Sequence, residues 1–468
     1  MTTESPRLPL RYAHLSGMGM LALLVLSAYF WQERAWLLDV AYQTVLMLRD
    51  ETTQVQVYRF GAALVQALPL AAIKLELPLS WVSWCYSVSF TLWYGLFFVL
   101  IVWVFRQYFL AVVLVLLYTA MVYDGFYWCT SELQQGLGFL LVFWAMVLRF
   151  PALRRWWLWP LLVISCVGLA FYHPLVAIPF LGCWAYFGWY ENDLRHGRYL
   201  LLLGVMLLVL WVKSQWFGNY YDAAKMAVFQ KQLAEFPRIF HYPAYEKFFW
   251  RTLLYWWGFP LLLGVVTVAH VRYRQWWVLG GMWLACAGFL VLNVLGSPQA
   301  TYRFYSEVNF YPLVLIVAVP LAHYVLPRWQ FSRWTFPLLG LFIVLRLAVI
   351  TQHHEVYTER LDYLEQLVQQ AQQEEPGQRY LVSEAQVDMD KLVMTWGTPF
   401  ETLLLTAAAH QDSVVTLCVT PDLGRYPDAL RTQGSELLME FYPIPFEALP
   451  ATYLRFGPGS YEMLTTDF

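Results

Sequence analysis

Apolar residues in this chain fall into long unbroken runs, not into alternation. Several reach the roughly 20 residues a helix needs to cross about 30 Å of hydrocarbon. Eleven can be drawn, at approximately 15–33, 81–105, 109–127, 132–148, 156–172, 174–190, 199–212, 252–271, 276–295, 310–326 and 334–352. Strands of a membrane barrel would read as segments of about ten residues with alternating polarity, so helices are expected. The first run, "LSGMGMLALLVLSAYFW" at 15–31, follows Arg7, Arg11 and His14 as a signal peptide would. No small-residue cleavage site comes after it, which predicts a retained anchor.

Between the runs lie stretches with helical period and mixed character. On a helix over 36–50, Asp39, Gln43 and Asp50 project within about 40° of one another, while Leu37, Leu38, Ala41, Val45 and Leu48 fill other directions. That pattern predicts a helix lying in the membrane interface, apolar into lipid and acidic toward a cavity. Asp39 and Asp50 would stand about 16 Å apart, too far to chelate one metal together. "VYRFGAALVQALPLAAIKL" at 57–75 predicts a second interfacial helix, with Arg59 and Lys74 on it. In the tail, "HHEVYTERLDYLEQLVQQAQQEEPGQ" carries Leu361, Leu364, Leu367 and Val368 at helical spacing until Pro376 and Gly377 stop it. "RYLVSEA", "VVTLCVTPD" and "PATYLRFG" then read as short strands. The expected fold is mainly α: a polytopic membrane domain over 1–352 with about eleven transmembrane helices, and a small α/β domain over 353–468.

Composition agrees with a bilayer protein, since 59% of the 468 residues are hydrophobic and 13% are charged, against roughly 25% charged in soluble proteins. No nucleic-acid partner is expected. The six cysteines lack metal-ligand or disulfide-framework spacing and read as small core residues. Charge orients the chain. With the N-terminus cytoplasmic, the inner connections hold 12 basic residues in about 44 positions and the outer ones 11 in about 105, as the positive-inside rule requires. The outer loop 213–251 runs against this, with six basic side chains. An odd number of crossings puts the tail outside, in a bacterial-type inner or plasma membrane. The tail is also distinct in charge, at net −12 against +10 for the first 352 residues.

That orientation gathers the acids of the first half on the outer side: Asp39, Asp50, Glu51, Glu76, Asp124 and Glu132. Asp39 interrupts "WLLDVAY" only a few residues past the first span, whereas Asp50 and Glu51 suit plain hydration of a helix end. In "VYDGFYWCTSELQQG", Ser131 and Gln134 form a helix cap and Glu132 favours the helix dipole. Yet Asp124 and Glu132 also flank Phe126, Tyr127 and Trp128, a wall on which a sugar ring could stack. His173 in "AFYHPL", Arg303 and Glu307 in "TYRFYSEVNFYPL", and Arg346 in the last span complete the outer set. An arginine there is a natural clamp for a phosphate, being always charged and bidentate; an ionisable group inside a span, as Arg346 is, points to snorkelling or a buried anion.

An acid soon after the first span, here in "DVAYQ" at 39–43, an interfacial helical pair, and "YRFYSEVNFYPLVLIVAVPL" at 302–321 together resemble the C-type (GT-C) superfamily of membrane glycosyltransferases. The likeness covers the architecture of the first 352 residues. It departs in one respect: many members pair two acids directly after span one, whereas Asp39 stands alone and Asp50 and Glu51 come later. The resemblance implies transfer of a sugar from a polyprenyl-phosphate donor in the lipid bilayer to a glycan, lipid or protein acceptor on the far side. It assigns catalysis to Asp39, Asp124 and Glu132, and the donor phosphate to Arg59, His173, Arg303 and Arg346, with Asp50, Glu51 and Glu307 as further candidates. A divalent cation such as Mg or Mn could assist. Two other readings compete: a polymerase or ligase of lipid-linked glycans using His173 and Arg303, and a transporter or scaffold without catalysis.

Overall fold

The computed structural model describes residues 8–330, 332–374, 378–409, 414–426, 434–457 and 459–464. Arg7, Pro376 and Gly377 lie outside the described residues. The membrane part opens with α1 (Leu10–Tyr29), α2 (Trp31–Ala35), α3 (Leu38–Asp50), α4 (Ala62–Lys74) and α5 (Leu79–Val99). It continues through α6 (Tyr108–Leu117), α7 (Glu132–Arg149), α8 (Leu158–Tyr172), α9 (Ala177–Tyr190), α10 (Gly197–Trp216), α11 (Tyr220–Ala234) and α12 (Pro243–Leu254). It closes with α13 (Gly258–Arg272), α14 (Trp276–Gly296), α15 (Arg303–Pro320), α16 (Leu326–Trp329) and α17 (Thr335–Gln352).

Every expected apolar run forms a helix. Among the described residues, six helical stretches are long and apolar enough to cross a bilayer, or seven if α12 and α13, bent by 86°, count as one span. Of the other runs, 132–148 forms the 18-residue α7 and the rest form shorter helices. α6, α8 and α9 have 10, 15 and 14 residues, about 15–22 Å at 1.5 Å per residue. The run at 109–127 shows why length on paper overstates length in space. Its helix stops at Leu117 and the chain unwinds, because Arg346 donates to the carbonyls of Thr119 and Val122 and so replaces the lost helical bonds.

The stretch Arg303–Trp329 is the central post, its apolar part almost wholly buried. α6, α7, α9, α13 and α14 pack around it. The outer helices instead turn large apolar side chains outward, Leu21 at 61%, Ile164 at 67% and Leu284 at 75% exposure. Such a continuous apolar exterior belongs in lipid. All six cysteines are buried and free, as core residues would be.

α17 runs on into α18 (His354–Glu374), so the membrane part meets the tail through helix with no linker between them. The tail adds β1 (Arg379–Ser383), α19 (Met389–Leu392), α20 (Thr398–Ala409), β2 (Thr416–Thr420), β3 (Glu436–Leu437), β4 (Ile444–Pro445) and β5 (Glu462–Met463). Strands β2, β1 and β5 form a parallel sheet in that order, with Tyr380 opposite Leu417, and β3 pairs antiparallel with β4. The stretch "PATYLRFG" is not the strand expected; it is a turn and loop, and the third parallel strand falls at Glu462–Met463.

The tail does not stand clear of the membrane part. α20 packs on α3, where Tyr42 meets Trp396 and Phe400 edge to face at 5.9 and 5.1 Å. This corrects the expectation of α3 as a helix with its apolar face in lipid: Leu38, Val40, Ala41, Val45 and Leu48 are buried under protein. The apolar face found a partner domain 350 residues away, which local pattern cannot reveal.

Candidate functional site

The chain approaches α3 through a strained residue. Leu38 has φ of 29°, a conformation that costs a residue with a Cβ roughly 1 kcal/mol or more. Its N–H donates to the Glu401 carboxylate on α20 at 3.0 Å, and Arg360 holds that carboxylate with two further bonds of 3.2 and 2.6 Å. The tail thus pins the turn that places Asp39 in the first turn of α3.

Asp39 is enclosed by protein yet keeps some accessible surface. Among the described residues its carboxylate has no hydrogen-bond or ion-pair partner. Burial, and then the charges of Glu132 and Glu401, push its pKa up to about 7. A carboxyl poised there holds its proton about half the time at neutral pH, which suits proton transfer.

Glu132 stands at the start of α7, where Ser131 caps the helix by accepting the Gln134 N–H at 3.2 Å. Arg59 bridges Glu132 and Asp222, each at 3.5 Å. Arg59 precedes α4 by three residues instead of lying on it, and its Nε is buried without a partner. Tyr221, at the start of α11, lies under the guanidinium at 5.2 Å and senses the charges of Glu132, Asp222 and Asp39 as well. His173 caps the short turn Pro174–Val176, its Nδ1 accepting from the Leu175 N–H at 3.2 Å. Burial first, and then Arg59 and Lys213, hold its pKa well below the usual histidine range, so it is neutral. Lys213 is buried and donates to the Ala170 carbonyl at 2.7 Å.

A second constellation lies behind an aromatic wall. Trp128 stacks on Phe304 at 3.6 Å and meets Tyr305, a residue that is 44% exposed. Behind it, Arg303 grips Asp124 through bonds of 2.5 and 2.8 Å, and His353 and Tyr357 add bonds of 2.7 and 3.1 Å. Burial raises Asp124, but these donors outweigh it and hold the carboxyl below the usual range. The Glu307 carboxylate accepts from the N–H groups of Tyr123, Asp124 and Gly125, from the Trp256 indole and from the Tyr311 hydroxyl. Arg346 donates to three backbone carbonyls, of Thr119, Val122 and Tyr255. These residues tie α15, α17 and the 123–125 turn together.

No known family model, curated protein or solved structure matches the chain.

Of the ten residues singled out by sequence, Asp39, Arg59, Glu132 and His173 fall within electrostatic reach as one group. Asp124, Arg303, Glu307 and Arg346 form the interlocked second group. Asp50 lies apart, bound to Arg49 at 2.6 Å and to Gln54, and Glu51 ends α3 in the left-handed conformation, exposed. Sequence reasoning missed Tyr221, Asp222, Lys213 and Glu401. The six basic residues of 213–251, which ran against the orientation rule, were a signal for the loop that carries three of them; nothing local marked Glu401. As to a metal, among the described residues no three His, Cys, Asp or Glu side chains converge on one point. The guanidinium of Arg59 already neutralises Glu132. These donors do not fit a divalent cation held by the protein.

Proposed function

We propose that this chain is a membrane glycosyltransferase that moves a sugar from a polyprenyl-phosphate donor to an acceptor hydroxyl at the extracytoplasmic end of the bundle, with the N-terminus cytoplasmic. The observation that carries this reading is Asp39, a carboxylate enclosed by protein, without a partner among the described residues, and poised near neutrality in the field of Glu132, which itself pairs with Arg59. Asp39 takes the proton of the acceptor hydroxyl as the oxygen bonds to the anomeric carbon. The bond from that carbon to the phosphate oxygen breaks, and its electron pair leaves with the phosphate. Arg59 offsets that charge, and neutral His173 can donate to a phosphate oxygen. Tyr305 offers a ring face to the sugar. A single unpaired acid supports one displacement at the anomeric carbon, without a covalent sugar–enzyme intermediate. The interlocking of Asp124 with Arg303 speaks against a polymerase built on Arg303, and the gathering of charge at one end of the bundle speaks against a transporter.

The test is Asp39→Asn in nanodiscs containing a polyprenyl-phosphate sugar. Transfer should fall by about 10²- to 10⁴-fold, the worth of a general base, while donor binding persists. Transfer at the wild-type rate would remove Asp39 from the chemistry and the reading with it.

A further inference from the structure

Helix α11 is attached to the site in an unusual way. None of its residues is buried, so little apolar burial within the protein holds it. It runs along α14, and its first turn reaches the candidate site through two polar ties. Asn219, its N-cap, accepts from the Asp222 N–H at 2.8 Å, donates back to the Asp222 carboxylate at 2.9 Å, and donates to the Val57 carbonyl at 3.4 Å. Asp222 in turn faces Arg59 at 3.5 Å and lies in the field of Lys213.

The 3.5 Å separations of Arg59 from both carboxylates are long for a charge-assisted pair, which closes to about 2.7–2.9 Å when well made. Arg59 also keeps a buried Nε with no partner. Its fork is therefore only loosely occupied. Asp222, one of its two anions, is delivered by a helix with no buried residue.

Building on the glycosyltransferase reading, we propose that Asp222 is a stand-in for the phosphate of the ligand: an alkyl or prenyl phosphate displaces it from Arg59 and so releases the first turn of α11. A phosphate offers three oxygens in place of one loosely placed carboxylate oxygen, and can engage both the Arg59 fork and Lys213. Release of α11 would then report that the phosphate site is filled. Asp222 acts here through Arg59; it is a positioning residue and touches no reacting atom.

The experiment measures hydrogen exchange of α11 amides in nanodiscs, with and without saturating farnesyl phosphate, alongside binding of the same probe. Without ligand, Asp222→Asn and Arg59→Gln should each speed exchange in the first turns of α11 by about two- to fivefold, the range for a partly exposed ion pair, and the double variant should add nothing. Farnesyl phosphate should speed exchange similarly in the wild type and have no further effect on α11 in Asp222→Asn, which should bind the probe about two- to fivefold more tightly. Farnesol, which lacks the phosphate, should do nothing. Binding with unchanged α11 exchange, equal affinity in wild type and Asp222→Asn, or no binding at all would overturn the proposal. Sugar transfer is read separately: displacement without transfer would sink the enzymatic reading and leave the phosphate latch standing, and transfer without displacement would do the reverse.

Discussion

Asp39→Asn should make the folded protein more stable, and by an amount that depends on pH. The carboxyl is shifted from 3.8 to about 7 by burial and by the charges of Glu132 and Glu401. At about 1.36 kcal/mol per pKa unit, ionised Asp39 disfavours the folded state by up to about 4 kcal/mol. Residual contact with water screens part of this, leaving roughly 2–3 kcal/mol. The sign follows from proton counts. The unfolded chain releases this proton near pH 4 and the folded protein holds it until about pH 7, so between those values the folded state binds more protons and stability declines as pH rises. The loss is absent below about pH 4 and complete above about pH 7. Asparagine, of the same shape and without charge, escapes it. Unfolding in detergent followed by intrinsic fluorescence, at pH 4.5 and at pH 8, should show the variant ahead by a small margin at the lower pH and by the full amount at the higher. Equal or lower stability of the variant at pH 8 would mean that the carboxylate is held by interactions of its own, and the argument from its isolation would fail.

Other residues predict the opposite pattern. Asp124→Asn removes the anion gripped by Arg303 and His353 and should destabilise the fold by about 3 kcal/mol, as uncompensated buried charges do; Asp124→Leu with Arg303→Met should recover much of that in the same unfolding assay. Arg346→Met strands three carbonyls and should cost about 3 kcal/mol or more, at 1–3 kcal/mol for each unsatisfied group, while binding of farnesyl phosphate to the folded fraction stays unchanged. A methyl group at Gly397 would lie 2.8 Å from the Leu38 Cα and 2.6 Å from its side chain. Gly397→Ala should therefore loosen the tail from α3 by about 1–3 kcal/mol, seen as faster hydrogen exchange at the N-terminus of α3.

The sequence made helices legible wherever one run of apolar residues was enough to define them, and it made the α/β character of the tail legible through its short apolar segments. It failed where a distant residue finishes a local structure. The run at 109–127 reads as one helix, and only Arg346, more than 220 positions away, explains why the chain can unwind after Leu117 with its carbonyls still bonded. The apolar side of α3 looks as though it faces lipid, and only α20 shows that it faces the tail. In the site, residue type pointed to Asp39, Arg59, Glu132 and His173, because charge in an apolar setting is visible in one dimension. Partnership is not. Asp124 and Asp39 look alike as letters, yet one has four bonds from three side chains and the other, among the described residues, has none.

That contrast also gives the tail a physical role. Among the candidate acids, Asp50 has Arg49, Glu132 has Arg59, Asp124 has Arg303, and Glu307 has five donors. A buried charge without a partner is disfavoured enough that folding alone would not keep one. Asp39 is kept so by the tail, which supplies Glu401 to hold the Leu38 N–H and adds like charge beside Asp39. Glu401→Gln should thus lower the pKa of Asp39 while its amide oxygen still accepts the Leu38 bond. The acid limb of the pH–rate profile for sugar transfer would then move to lower pH. A limb that stays in place would show that burial and Glu132 set the proton affinity of Asp39, and that the tail holds the site in shape without tuning it.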